Sequence, residues 1–174
     1  MKRKLIAFAG PAGSGKSTAA EVLGGNILSF AAPLKKCLLD LFQFKPEQLY
    51  TLAGKEAVDE RYGVSPRTVM QKFGTEFVRE VVPNLWEILM KQELGKFSKE
   101  SLVVIDDCRF PAEVDLVRNE GGVVVHITGR SLISSTHKSE RGLEIYSEDI
   151  VIDNSSTLED FKGAVSGSLT LNNR

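Results

Sequence analysis

Eight residues near the N-terminus, Gly10-Pro-Ala-Gly-Ser-Gly-Lys-Ser17, combine the parts needed to hold a polyphosphate. The pattern G-x-x-x-x-G-K-[ST] is complete, and it lies between an apolar run, Leu5–Ala9, and a helical pattern that begins at Lys16. Gly13 and Gly15 let backbone N–H groups turn inward around a β-phosphate, at a helix N-terminus that already favours anions. Lys16 then reaches the β- and γ-phosphates, and the Ser17 hydroxyl ligates Mg²⁺. Gly10, Ala12, Ser14 and Thr18 complete the predicted nucleotide-binding set. A chance glycine-rich turn would seldom satisfy eight positions in the right strand–loop–helix setting.

A second cluster is acidic. Asp106 and Asp107 follow the apolar run Leu102–Ile105, where a carboxylate can hold Mg²⁺ through water. A pair of solvated charges or an acidic first helical turn is the bland alternative, and the wholly apolar strand favours the metal role. Arginines supply the remaining phosphate chemistry, because planar guanidinium forks suit bidentate contacts. Arg67 follows Ser65-Pro66, Arg79 lies three turns on, Arg109 follows the acidic pair, and Arg130 and Arg141 flank a polar stretch. A lone arginine is more often a solvated surface residue; Arg109 stands out because the strand end dictates its position. His126 lies inside an apolar strand and reads as structural, whereas His137 falls in the polar stretch. Neither has a serine or cysteine partner at a recognised spacing, so nucleophilic catalysis has no support. Trp86 has the size to stack on a base, but an aromatic at helical spacing is more often core.

Strand patterns must position these groups. Leu5–Ala9, Ile27–Phe30, Leu102–Ile105, Val123–Thr128 and Ile150–Ile152 read as short strands, the first and third as strands buried on both faces. Helices are predicted from Lys16 to Gly24-Gly25, from Pro33 with Leu34, Cys37, Leu38, Leu41 and Phe42, and from Pro111 to Glu120. The polar segment 45–63 suits a short helix within an excursion. Ser65-Pro66 reads as an N-cap with proline at N1, opening a helix with Val69, Phe73 and Phe77 on one stripe. After Pro83 a helix carries Leu85, Ile88, Leu89 and Gln92, and Thr157 with Asp160 has capping-box spacing before Phe161, Val165 and Leu169. Strands alternating with helices predict an α/β domain of P-loop NTPase type: a five-stranded parallel sheet with helices on both faces and right-handed crossovers. Ligands bind such sheets beyond the carboxyl ends of the strands. One domain is expected over 1–174, with a core of 1–44, 100–128 and 149–174, an acceptor-binding region 45–99, and a lid 129–148.

Composition narrows the partners. The 174 residues are 42% hydrophobic and 26% charged, with a net charge of −1 from 22 basic and 23 acidic residues. Nothing global draws the chain to a nucleic acid polymer or an anionic membrane. Cys37 and Cys108 match no metal spacing and read as reduced core thiols of a cytoplasmic protein. Met-Lys-Arg-Lys before Leu5–Ala9 mimics a signal peptide, but the apolar stretch is too short and leads into the glycine loop. No segment approaches the roughly 20 apolar residues that cross a bilayer.

Several blocks together resemble the phage-type deoxynucleoside monophosphate kinases. They are the glycine loop, Ser29-Phe-Ala-Ala-Pro-Leu-Lys35, Ser65-Pro-Arg67 with Gln71, Phe73-Gly-Thr-Glu76 with Arg79 and Trp86, Asp107-Cys-Arg-Phe110 with Glu113, and His137-Lys-Ser-Glu140. In order they span almost the whole chain. The resemblance implies transfer of the ATP γ-phosphoryl group to a deoxynucleoside 5′-monophosphate with Mg²⁺. It implies a monophosphate site built from Arg67, Gln71 and Arg79, with Lys35, Thr75, Trp86 and Arg109 also meeting the substrate. Lys16, Asp107, Arg109, Arg130 and Arg141 become the catalytic set, and the lid closes over ATP. Asp107 matches the family's acidic position, whereas alignment to adenylate-kinase-like strands favours Asp106. A monomer or homodimer in the cytoplasm, or the host cytoplasm if phage-encoded, is expected. Another small-molecule P-loop kinase, acting on dephospho-coenzyme A or phosphomevalonate, is the nearest rival, though the Ser65–Trp86 block is less like theirs. A nucleotide-binding sensor is the rival from another class; no N-K-x-D guanine motif occurs.

Overall fold

Short runs of valine, isoleucine and leucine with few polar positions cannot leave either face in water, so they pair side by side and take helices above and below. The computed structural model describes residues 4–130 and 143–170. Its strands are β1 (Lys4–Ala9), β2 (Asn26–Leu28), β3 (Leu102–Cys108), β4 (Val123–Thr128) and β5 (Ile150–Asp153). They form one wholly parallel sheet in the order β2-β3-β1-β4-β5, as expected. The helices are α1 (Lys16–Leu23), α2 (Ala32–Phe42), α3 (Pro46–Tyr50), α4 (Leu52–Glu56), α5 (Pro66–Val69), a π-helix (Met70–Val78), α6 (Arg79–Val81), α7 (Leu85–Leu94), α8 (Pro111–Asn119) and α9 (Leu158–Thr170). Among the described residues no helix is long and apolar enough to cross a membrane.

Two compact units divide the chain: Met1–Phe30 with Met90–Arg174, and Ala31–Leu89. In the first, alternating side chains feed two layers. Phe8, Val104, Val125, Ile127 and Ile152 pack with Ala19 and Ala20 of α1 and with Phe161 and Val165 of α9. On the opposite face Gly122 lies between Leu5 and Val117 of α8, where an added Cβ would stand 2.8 Å from each. β3 runs through the acidic pair predicted to end it and one residue further, because Ala9 of β1 still pairs with Cys108 after a register shift. β2 ends at Leu28, short of the predicted Phe30. Ser29 and Phe30 leave the strand to meet the Asp107 carboxylate.

The second unit is helical. Ser65 caps α5 as predicted, its hydroxyl accepting from the Thr68 N–H. The stripe of Val69, Phe73 and Phe77 does not lie on one α-helix. From Met70 the backbone winds as a π-helix, whose wider turn carries later residues off the stripe, and Phe77 is 58% exposed. Gly74 holds the middle of that segment against α2: a Cβ there would come 2.5 Å from Leu34 Cδ2. The Trp86 indole N–H donates to the Gly74 carbonyl at 3.1 Å. The face of α7 also differs from expectation, with Trp86, Met90 and Leu94 buried and Ile88 exposed. Cys37 is another correction: Leu34 and Leu38 form the buried stripe of α2, and the Cys37 thiol, off that stripe, is exposed, whereas Cys108 is buried.

Candidate active site

The loop between β1 and α1 needs backbone that only glycine adopts cheaply. Gly10, Gly13 and Gly15 have φ of 147°, 77° and 107°. Space is equally restrictive, since a Cβ on Gly10 would lie 2.6 Å from the Ile127 carbonyl. Ala12 and Ser14 are buried, Gly13 and Ser17 are exposed, and Thr18 is half-buried. Lys16 is itself buried, and its Nζ donates to the carbonyls of Gly10 (2.8 Å) and Pro11 (2.6 Å). The cation thus already sits in the curl of the loop. From the far edge of the sheet, Asn154 Nδ2 donates 2.7 Å to the Ser14 carbonyl.

At the end of β3 the two predicted carboxylates part company, because adjacent residues of a strand point to opposite faces. Asp106 turns to the loop, its Oδ2 accepting from Ser17 Oγ at 3.1 Å. Asp107 turns to the residues after β2: Oδ2 accepts from Ser29 Oγ at 2.5 Å and Oδ1 from the Phe30 N–H at 2.8 Å. Arg109 follows, half-buried, on a turn held by the buried Glu113, whose Oε2 accepts from the N–H groups of Arg109 (2.7 Å) and Phe110 (3.1 Å). Arg130 is exposed after β4. Arg141, His137 and Lys138 lie outside the described residues.

Apart from Arg109, the predicted acceptor residues belong to the helical unit. Gln71 and Thr75 are half-buried on the π-helix, and Arg79 begins the segment after it. Arg79 Nη1 donates 2.8 Å to Glu87 Oε1, with both side chains mostly buried. Arg67 Nε pairs with the more exposed Glu56. Lys35 Nζ stands 4.6 Å from the Tyr50 ring centroid. Trp86 is 8% exposed with its N–H committed to Gly74, a core position.

Asn154, Glu87 and the capping role of Glu113 escaped sequence reasoning. Asn154 lies just beyond a predicted strand, at the end where ligands bind, and that placement is the signal that was there to use. Glu113 sits at N3 of a helix opened by proline, a capping-box spacing. Nothing in the sequence near Glu87 points to Arg79.

His126 proves structural, as its apolar strand suggested: its Nε2 lies 3.0 Å from Asp149 Oδ2. Arg118 Nη2 reaches both Asp149 oxygens at 2.8 and 2.7 Å, and the Tyr146 N–H is a third partner. Burial pushes the Asp149 carboxyl up, but Arg118, the Tyr146 N–H and His126 outweigh it and hold the group below the usual carboxylate range. This cluster ties the segment entering β5 to β4 and α8.

The sequence profile of the deoxynucleotide monophosphate kinases matches residues 51–165. A protein of Acanthamoeba polyphaga mimivirus named for that activity is 37% identical over 176 residues, covering 90% of this chain and 91% of its own length. The deoxynucleoside-5′-monophosphate kinase of Escherichia phage T5 is 31% identical over 107 residues, a partial match covering 42% of that protein. Among solved structures, a shikimate kinase from Aquifex aeolicus superposes with a TM-score of 0.53 at 18% identity, covering 97% of each chain. A Thermus thermophilus protein gives 0.52 at 19%, covering 98% of each. At such identities the likeness is one of fold.

Proposed function

The chain belongs to the deoxynucleotide monophosphate kinase family, and on that premise we propose that it transfers the γ-phosphoryl group of ATP to a deoxynucleoside 5′-monophosphate, with Lys16, Ser17 and Asp106 at the donor end. The observation that carries the donor site is the 3.1 Å approach of Ser17 Oγ to Asp106 Oδ2 beside a loop curled around Lys16 Nζ. A hydroxyl and a carboxylate are hard oxygen donors suited to Mg²⁺, which takes few protein ligands and keeps phosphate oxygens and water for the rest. When bound, Mg²⁺ neutralises charge on the β- and γ-phosphates.

The chain's own residues do the rest. Lys16 exchanges the Gly10 and Pro11 carbonyls for phosphate oxygens. An acceptor phosphate oxygen, already anionic at neutral pH, bonds to the γ-phosphorus as the bond to the β–γ bridging oxygen breaks, so no general base and no covalent intermediate are required. The products are the deoxynucleoside diphosphate and ADP. Arg67 and Arg79, with Gln71, Thr75 and Lys35, bind the acceptor, and Trp86 supports them by holding Gly74. Arg109 and Arg130, with Arg141 from outside the described residues, stabilise charge on the transferring group. Asp107 anchors the chain after β2 rather than the metal. Family membership favours this acceptor class over a coenzyme A precursor or phosphomevalonate.

A coupled ADP-release assay across the deoxy- and ribonucleoside monophosphates tests the reading. Turnover with at least one deoxynucleoside monophosphate, far above the ATPase rate without acceptor, is expected. ADP release that no monophosphate stimulates would overturn it.

A further inference from the structure

We infer that Asn154 is a positioning residue that sets the Ser14–Gly15 peptide of the phosphate loop in its anion-binding orientation; the inference rests on the loop being the donor-phosphate site. Asn154 follows β5 and is 5% exposed. Its backbone N–H donates 2.9 Å to the Thr128 carbonyl at the end of β4, which fixes where the side chain starts. From there Nδ2 reaches 140 residues back in sequence to the Ser14 carbonyl, 2.7 Å away in a buried setting. A trans peptide is planar, so its C=O and N–H point in opposite directions. Drawing the Ser14 oxygen toward Asn154 therefore aims the Gly15 N–H the other way.

Local sterics make the contact specific. Gly15 holds φ 107°, and a Cβ there would stand 2.7 Å from Asn154 Nδ2 and 3.1 Å from Phe161 Cε1. The loop is thus pressed against the amide and the α9 aromatic, with Ser14 fully buried between. Without the amide donor the Ser14–Gly15 peptide can rotate, and the site must spend binding energy to restore the donor that phosphate needs. Asparagine supplies an uncharged donor here; an aspartate of the same shape would oppose the carbonyl with a negative charge.

Two full-length variants test this, Asn154→Ala and the isosteric Asn154→Asp, with Lys16→Ala as the reference. Steady-state kinetics with each substrate varied in turn and the Gly15 amide signal in ¹⁵N-edited NMR spectra, recorded well below the unfolding midpoint, are the readouts. The KM for ATP should rise about tenfold in Asn154→Ala and further in Asn154→Asp, with the acceptor KM within about twofold of wild type. The Gly15 amide shift on ADP binding should shrink in both. A lowered Tm with unchanged ATP kinetics would overturn the inference by making Asn154 a packing residue. An equal rise in both KM values would overturn it too. If Lys16→Ala itself retains wild-type ATP kinetics, the donor-site reading fails; if only the Asn154 variants do, the inference fails and that reading stands.

Discussion

Replacing Asp106 and Asp107 separately by asparagine should split catalysis from stability. Asp107 accepts a 2.5 Å bond from the Ser29 hydroxyl and a 2.8 Å bond from the Phe30 N–H. Hydrogen bonds to a charged group contribute about 1.5–3 kcal/mol. An asparagine keeps one carbonyl oxygen for Phe30 but loses the anionic acceptor facing Ser29, so Asp107→Asn should cost about 1.5–3 kcal/mol. For a chain of 174 residues that lowers Tm by about 3–12 °C. Asp106 makes its 3.1 Å contact with an exposed serine, and its replacement should lower Tm less than that of Asp107. Turnover should reverse the order: Asp106→Asn falls roughly a hundredfold, with partial rescue by added Mg²⁺, while Asp107→Asn stays within a few-fold at a temperature where it is folded. Differential scanning fluorimetry and an Mg²⁺ titration of kcat decide it. A stable but inactive Asp107→Asn beside an active Asp106→Asn would refute the argument and return the metal to Asp107.

Lys16→Ala should lower kcat at least a hundredfold while far-UV circular dichroism stays native, because the lost group is a loop cation bonded to two carbonyls; activity within a few-fold of wild type would count against the loop mechanism. Arg67→Ala and Arg79→Ala should each raise the acceptor KM about ten- to a hundredfold with little change for ATP, whereas solvated helix charges would leave both constants alone. Glu87→Gln should raise the acceptor KM only when Arg79 is present, so a double-mutant cycle that finds the two effects additive would remove Glu87 from that role. The depressed Asp149 group contributes stability above its unfolded value of about 3.9 and loses it as pH falls through the lower folded value. The Tm gap between wild type and Asp149→Asn should therefore narrow below about pH 4, and a gap constant down to pH 2.5 would contradict the assigned cause.

Local chemistry was legible in the sequence wherever neighbours in the chain decide it. The glycine spacing, Lys16, the strand runs and the Ser65 cap all depend on residues within a few positions. Choosing between Asp106 and Asp107 does not, because it depends on partners 89 and 78 residues away, Ser17 and Ser29. Asn154 was missed for the same reason. The π-winding of Met70–Val78 was hidden because apolar residues four apart look alike in either helix, and the contacts of Leu34 and Trp86 at Gly74 come from elsewhere in the chain. Cys37 and Ile88 show a further limit: periodicity marks an apolar stripe but not where its edge lies.

β1 is the middle strand of the sheet, paired with β3 on one side and β4 on the other, and it feeds the glycine loop directly. Its amides bond alternately to the two neighbours, so freeing the whole strand requires both ladders to part, an event close to global unfolding. The loop therefore hangs from the slowest-opening part of the chain. Breathing at the sheet edges, at β2 or β5, can come and go many times without releasing the strand on which phosphate binding depends, and slow deuterium uptake at Ile6–Ala9 would mark that anchorage.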